Sequence, residues 1–193
     1  MRPTRMEAFS DGVIAIIITI MVLELKVPHD GSLEGIRSLW PIFLSYALSF
    51  IFVAIYWVNH HHLIHLVKSV HSTLLWLNIN LLFWMSLMPF TTAYLGEHRA
   101  SALSIMIYGS IQVACSFSYL LLLNCITKTD VKDPALVEMN KKMIVKNHIA
   151  IAIFVLSILL ATVVKPVAVA LLLLPSIMYF IPDRHVEKHV SAK

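Results

Sequence analysis

The chain has 193 residues, 59% of them hydrophobic and only 13% charged, and a mean hydropathy of +0.80, whereas a soluble domain carries about 25% charged residues. These proportions exclude a water-soluble fold and indicate an all-α integral membrane protein, because helices satisfy their own backbone groups where lipid cannot. The net charge of +4 is then read as a signal of membrane topology, with the lipid bilayer as partner and no nucleic acid.

In chain order, residues 1–193 read as one domain of six transmembrane helices. The first spans about Met6 to Val27 and is closed by Pro28, with a turn at His29, Asp30 and Gly31. Arg2 and Arg5 ahead of an apolar run resemble a secretory signal, but no small-residue cleavage site follows Leu23, so the run is expected to stay as a span. The second helix covers about Leu39 to Trp57, with Pro41 in its first turn, and leads into a histidine-rich segment, Asn59 to His65. The third covers about Leu74 to Leu95; Pro89 is placed to kink it and Gly96 to stop it. The fourth runs from about Ala102 to Ile126. A polar stretch from Thr127 to Asn147 reads as a solvated connection overlapping the start of a fifth helix at about Ile144 to Val164. The sixth, about Val167 to Ile181, is short for a span. Cys115 and Cys125 both fall in apolar sequence and read as buried thiols.

With six spans, four of the fifteen basic residues (Lys26, Arg37, Arg99 and Lys165) fall on one side. The other eleven, from Arg2 and Arg5 to Arg184, Lys188 and Lys193, share the side of both termini. That bias places both termini in the cytoplasm.

The stretch from Arg5 to Val27 carries the most chemistry. Charged Arg5 and Asp11, with Ser10, stand at the mouth of a segment whose only polar side chain between Gly12 and Leu23 is Thr19, and charges there need partners. At about 100° per residue, Gly12, Ile16, Thr19, Ile20, Leu23 and Val27 share one stripe, while Ser10 and Asp11 lie more than about 100° away. Such a stripe either packs on a neighbouring helix or surrounds a pore closed by dewetting at Ile16 and Leu23. Periodicity leaves both open.

Arg5, Phe9, Ser10 and Asp11 form an R-x-x-x-F-S-D motif. With Trp57, His60 and His61 at the end of the second span, Asn78 in the third, and Leu87, Pro89 and Phe90 near its end, the chain resembles bacterial members of the transmembrane-protein-175 family of potassium channels. The likeness covers the whole chain in helix number and length, with its specific motifs in the first half. It implies a homotetramer of six-helix subunits whose first helices line a central pore, animal relatives carrying two such repeats per chain. Ile16 and Leu23 would be hydrophobic rings, Thr19 a hydroxyl ring past which potassium moves, and Gly12 and Ile20 secondary lining. Arg5, Phe9, Ser10 and Asp11 would form a network with Trp57, His60, His61 and Asn78.

The expected function is a potassium-permeable cation channel of the plasma membrane, gated at the hydrophobic constriction. It has no TVGYG-like filter and no regular arginine series to sense voltage. Protonation of Asp11 or a nearby histidine would couple it to pH, or let protons pass. The alternative is a proton-coupled secondary transporter, although only Pro89 and Pro175 interrupt spans. No enzyme motif lies in the spans, and no cofactor is expected. His61 and His65, four apart, would share a helix face, but metal binding is set aside because the segment contains no carboxylate or cysteine.

Overall fold

The computed structural model describes residues 2–28 and 31–180, and every regular element in them is helical. In order these are α1 (Pro3–Leu23), α2 (Leu33–Ser38), α3 (Trp40–Ile64), α4 (Ser72–Met85), α5 (Met88–Glu97), α6 (Ala102–Thr129), α7 (Pro134–Leu160) and α8 (Lys165–Phe180). Five helical stretches are long and apolar enough to cross a membrane: α1, α3, α4 with α5, α6 and α7. The sixth expected span, α8, has 16 residues, about 24 Å of helix against a hydrocarbon core of about 30 Å. Ile181, the expected turn at His29 and Asp30, and the basic residues Arg184, Lys188 and Lys193 lie outside the described residues.

Local chemistry sets the helix boundaries, and it moves several of those expected. Helix α1 begins three residues early, at Pro3, where a proline in the first turn loses no hydrogen bond. The short α2 was not anticipated; Ser32 Oγ caps it by accepting from the Gly35 amide at 3.0 Å. Helix α3 runs on past Trp57 to Ile64, and so carries the histidine-rich segment as far as that residue. The third span is broken between α4 and α5, because Pro89 lacks an amide proton and its ring crowds the carbonyl four residues back, at Met85.

The polar stretch after α6, read as a solvated connection, is mostly helical. Helix α6 continues to Thr129, and α7 starts at Pro134 with Asp133 Oδ1 accepting from the Ala135 amide at 2.9 Å. Asn140, buried in this polar turn of α7, donates to Thr127 Oγ1 of α6 at 2.9 Å. A hydrophobicity scan sees solvent here because the helices extend beyond their apolar windows.

Gly96 does not stop the third span. It lies inside α5, and a side chain there would put Cβ 2.7 Å from the Cα of Ile42 on α3. The helix ends after Glu97, with Arg99 and Ala100 in the left-handed region at φ 45° and 51°.

Helix α6 is central, packing on α4, α5 and α7, while α1 lies against α3, α4 and α5, and α8 mainly against α7. Lipid is as apolar as leucine, so helices associate through close packing and interhelical hydrogen bonds. The interior holds such bonds at several levels. Thr92 Oγ1 donates to Ser49 Oγ at 2.6 Å, Ser49 pairs with the Tyr108 hydroxyl at 3.0 Å, and Tyr56 pairs with Ser116 at 3.0 Å. Asn80 Nδ2 donates to Ser118 Oγ at 2.7 Å. Both cysteines are free thiols, Cys115 buried and Cys125 partly so.

At one end of the bundle Asp130, just past α6, holds the α3–α4 loop by accepting from the Lys68 amide at 3.0 Å. Burial disfavours its charge, but the Thr129 hydroxyl, the Lys68 and Ser69 amides and nearby His71 outweigh that and hold the carboxyl below its usual range.

Two outcomes follow for stability in detergent. Gly96→Ala should lower stability by about 1–3 kcal/mol, since backbone rather than a flexible side chain must yield, as thermal unfolding will measure. Asp130, with its folded pKa below the unfolded one, stabilises fully above about pH 4 and loses that effect as pH falls through the folded value. Asp130→Asn should therefore lower the unfolding temperature by several degrees at neutral pH, and its deficit against the unsubstituted protein should shrink on acidification through the carboxylate range.

Candidate functional site

Helix α1 has two unlike faces. Met6, Ser10, Ile14, Ile17 and Met21 are buried against α3, α4 and α5. The other side carries the stripe: Gly12, Thr19 and Ile20 are exposed, and Ile16 and Leu23 are 58% and 75% exposed. In this arrangement the Thr19 hydroxyl donates to the Ile16 carbonyl at 2.8 Å, which uses its proton and leaves its oxygen as a free acceptor of the kind a cation prefers.

What orients α1 is a chain of hydrogen bonds through three helices. Ser10 Oγ, fully buried, donates to the Met6 carbonyl at 2.8 Å and accepts from Asn78 Nδ2 of α4 at 2.9 Å. Asn78 Oδ1 faces His60 Nε2 of α3 at 2.7 Å. An amide oxygen only accepts, so His60 carries its proton on Nε2, and its Nδ1 is left buried without a partner. Beside this line the half-buried Asp11 accepts from Trp57 Nε1 at 3.0 Å. Trp57 in turn stacks on His61, with ring centroids 6.0 Å apart and planes 28° apart.

The structure therefore gathers Ser10, Asp11, Trp57, His60, His61 and Asn78. It leaves out two motif residues expected with them. Among the described residues the exposed Arg5 guanidinium has no hydrogen bond or ion pair, and Phe9 is 59% exposed. Helical geometry explains both: at 100° per residue, Arg5 and Phe9 fall within about 20° of Ile16, on the stripe and away from Ser10. Adjacency in the motif concealed this difference of face.

Glu7 is the residue that sequence reading missed. It lies on the network side of α1, and its Oε1 sits 3.1 Å from His61 Nδ1 and 3.7 Å from His65 Nε2. The absence of a carboxylate within the histidine segment was the ground for setting metal aside, and the fold supplies one from another helix. Its spacing of four from Asp11 was the available signal.

A cavity large enough for a water molecule lies elsewhere, between α3, α6, α7 and α8. It is bordered by Tyr56, Asn59, Ser116, Tyr119 and Asn147, and the Asn147 Oδ1 is buried and unpaired.

Comparison with known proteins gives this geometry a context. A family model described as endosomal/lysosomal potassium channel TMEM175 matches residues 5–89, which hold the motif and most of the network. A potassium channel of Chryseobacterium sp. (strain P1-3) is 41% identical over 188 residues, covering 97% of both chains. The crystal structure of a lysosomal potassium-selective channel TMEM175 homolog from Chamaesiphon minutus superposes with a TM-score of 0.82 at 26% identity, over 93% of this chain and 96% of that one. The endosomal/lysosomal proton channel TMEM175 of Danio rerio is 28% identical over 135 residues, 62% of this chain and 26% of its own length. With the motif, the three-helix network and a near full-length relative at this identity, the chain belongs to the TMEM175 family of potassium channels.

Proposed function

We propose that the protein is a potassium-permeable cation channel in which four copies of the chain place the exposed stripe of α1 around a central path. The observation that carries this reading is the orientation of α1. Ser10 and Asp11 are turned inward to α3 and α4, and the side left uncovered holds Ile16, Thr19 and Leu23 in successive turns. A face packed within the subunit would be buried, so the stripe meets either lipid or other copies. The potassium-channel relative, matched along nearly its whole length, favours the second.

In this reading Ile16 and Leu23 form apolar rings that exclude water when narrow, and a small splaying of α1 wets the path. Four Thr19 oxygens, their protons held by Ile16 carbonyls, offer acceptors to an ion that has shed part of its water. Potassium gives up hydration more cheaply than sodium, so the ring prefers it modestly. A single repeat per chain needs four subunits to complete the ring. The short α8 acts as a sixth span, so that residues 1–193 form one transmembrane domain with both termini in the cytoplasm of a plasma membrane. No catalysis and no cofactor are involved.

Purified protein in liposomes, with potassium, sodium, caesium and proton flux compared under an imposed voltage, tests this directly. Ile16→Asn should raise resting potassium flux several-fold, and Thr19→Ala should reduce the preference for potassium over sodium. If neither variant changes flux, the stripe is not the ion path; movement only when a second ion gradient is supplied would identify a transporter instead.

The network supplies the route for pH coupling. Asp11 holds Trp57, and Glu7, His60 and His61 are the titratable groups near it. Protonation in this group would loosen α1 from α3 and alter gating. Asp11→Asn should flatten the pH dependence of flux, and a variant conducting with unaltered pH dependence would remove Asp11 from that role.

A further inference from the structure

We propose that Glu7, His61 and His65 form a three-ligand site for a divalent transition metal of the zinc type, clamping the start of α1 to the end of α3. One carboxylate oxygen and two imidazoles are donors that zinc accepts, with water completing a tetrahedron. The donor atoms of the three residues all lie within 4.8 Å of one another.

The distances suit a metal. With bonds of about 2.0–2.2 Å, the ligand atoms of a tetrahedral site stand about 3.3–3.6 Å apart. Glu7 Oε1 is 3.1 Å from His61 Nδ1 and 3.7 Å from His65 Nε2, on either side of that range. The two histidines are four residues apart on one helix, with rings edge to face at 4.3 Å. The side chains of His61 and His65 are 41% and 59% exposed, so a hydrated ion reaches the site from water. Without metal the same cluster is a hydrogen-bonded chain, in which His61 donates to Glu7 and accepts from His65 at 3.1 Å. Metal would take the place of those hydrogen bonds, each imidazole staying neutral and shifting its proton to the ring nitrogen that does not ligate.

The location gives the site a consequence. Glu7 lies one turn before Asp11, and His61 stacks on the Trp57 that Asp11 holds. A metal therefore reinforces the attachment of α1 to its own subunit and resists splaying of that helix. This effect on conduction rests on the pore reading above; the site itself does not.

The test uses the full chain without a polyhistidine tag, in detergent, titrated with Zn2+ by calorimetry and with Co2+ by its tetrahedral visible absorption. His65→Ala, at the exposed helix end and clear of the Trp57 stack, and Glu7→Gln are the variants. One Zn2+ per chain is expected, with affinity in both variants reduced by more than about 100-fold, the upper end of what loss of a ligand's supporting partner causes. In liposomes Zn2+ should slow potassium flux through the unsubstituted protein and leave His65→Ala unaffected. No binding, or binding unchanged in both variants, overturns the site. Binding lost in the variants while zinc leaves flux unaltered overturns the clamp and keeps the site. If the unsubstituted protein carries no potassium flux at all, the pore reading fails, and calorimetry still decides the site.

Discussion

The arrangement depends on a single constraint: a polar side chain inside the membrane must find its partner within the protein. Ser10, whose proton goes to the Met6 carbonyl of its own helix, accepts from Asn78 across to α4, and Asn78 accepts from His60 of α3. Those two interhelical bonds set the rotation of α1 about its own axis. A rotation of about 100° would bring Ile16 to where Ile17 is buried and carry Ser10 away from Asn78. Exposure of Ile16, Thr19 and Leu23 is thus the complement of a buried polar contact on the opposite face. In the proposed channel the helix anchored on one side would line the path on the other, with no selectivity loop.

The anchoring is uneven along α1. Near its start, Ser10, Asp11 and Glu7 all engage α3 or α4 through polar contacts. Toward its end the polar links among the described residues are a long contact between Thr92 Oγ1 and Met21 Sδ at 3.8 Å, and an exposed Lys26–Glu97 pair at 3.9 Å just beyond the helix. An exposed pair of that kind contributes little. A helix tied firmly at one end and packed mainly by apolar contacts at the other has a natural pivot near its start. Elsewhere the Ser49, Thr92 and Tyr108 bonds join α3, α5 and α6, and the close approach of Gly96 to Ile42 joins α3 to α5.

Two residues of the same helical turn illustrate how function divides by face. Arg5 and Glu7 are two positions apart, so about 200° of rotation separates them. Arg5 stands on the stripe that runs to Ile16 and Leu23, and Glu7 on the side that meets the histidines. A linear motif reads Arg5 as part of the Ser10 and Asp11 network. The helix gives that place to Glu7, which the motif does not contain.

Much of this protein was determined by sequence alone. Composition dictates a helical membrane protein, since apolar runs of this length have no other stable backbone solution in lipid. The 3.6-residue period separates the Ile16 stripe from Ser10 and Asp11, and the motif with Trp57, His60 and Asn78 identifies the family. Boundaries were less legible: capping by His71 and Asp133, the break at Pro89 and the helical polar turns of α7 depend on local hydrogen bonds that hydropathy does not weigh. Only tertiary structure could decide which partners meet. Glu7 reaches His61 across 54 positions of sequence, and Asn78 reaches Ser10 across 68. Packing of α1 against α3 and α4 creates those contacts, and no local pattern in either segment encodes the distance between them.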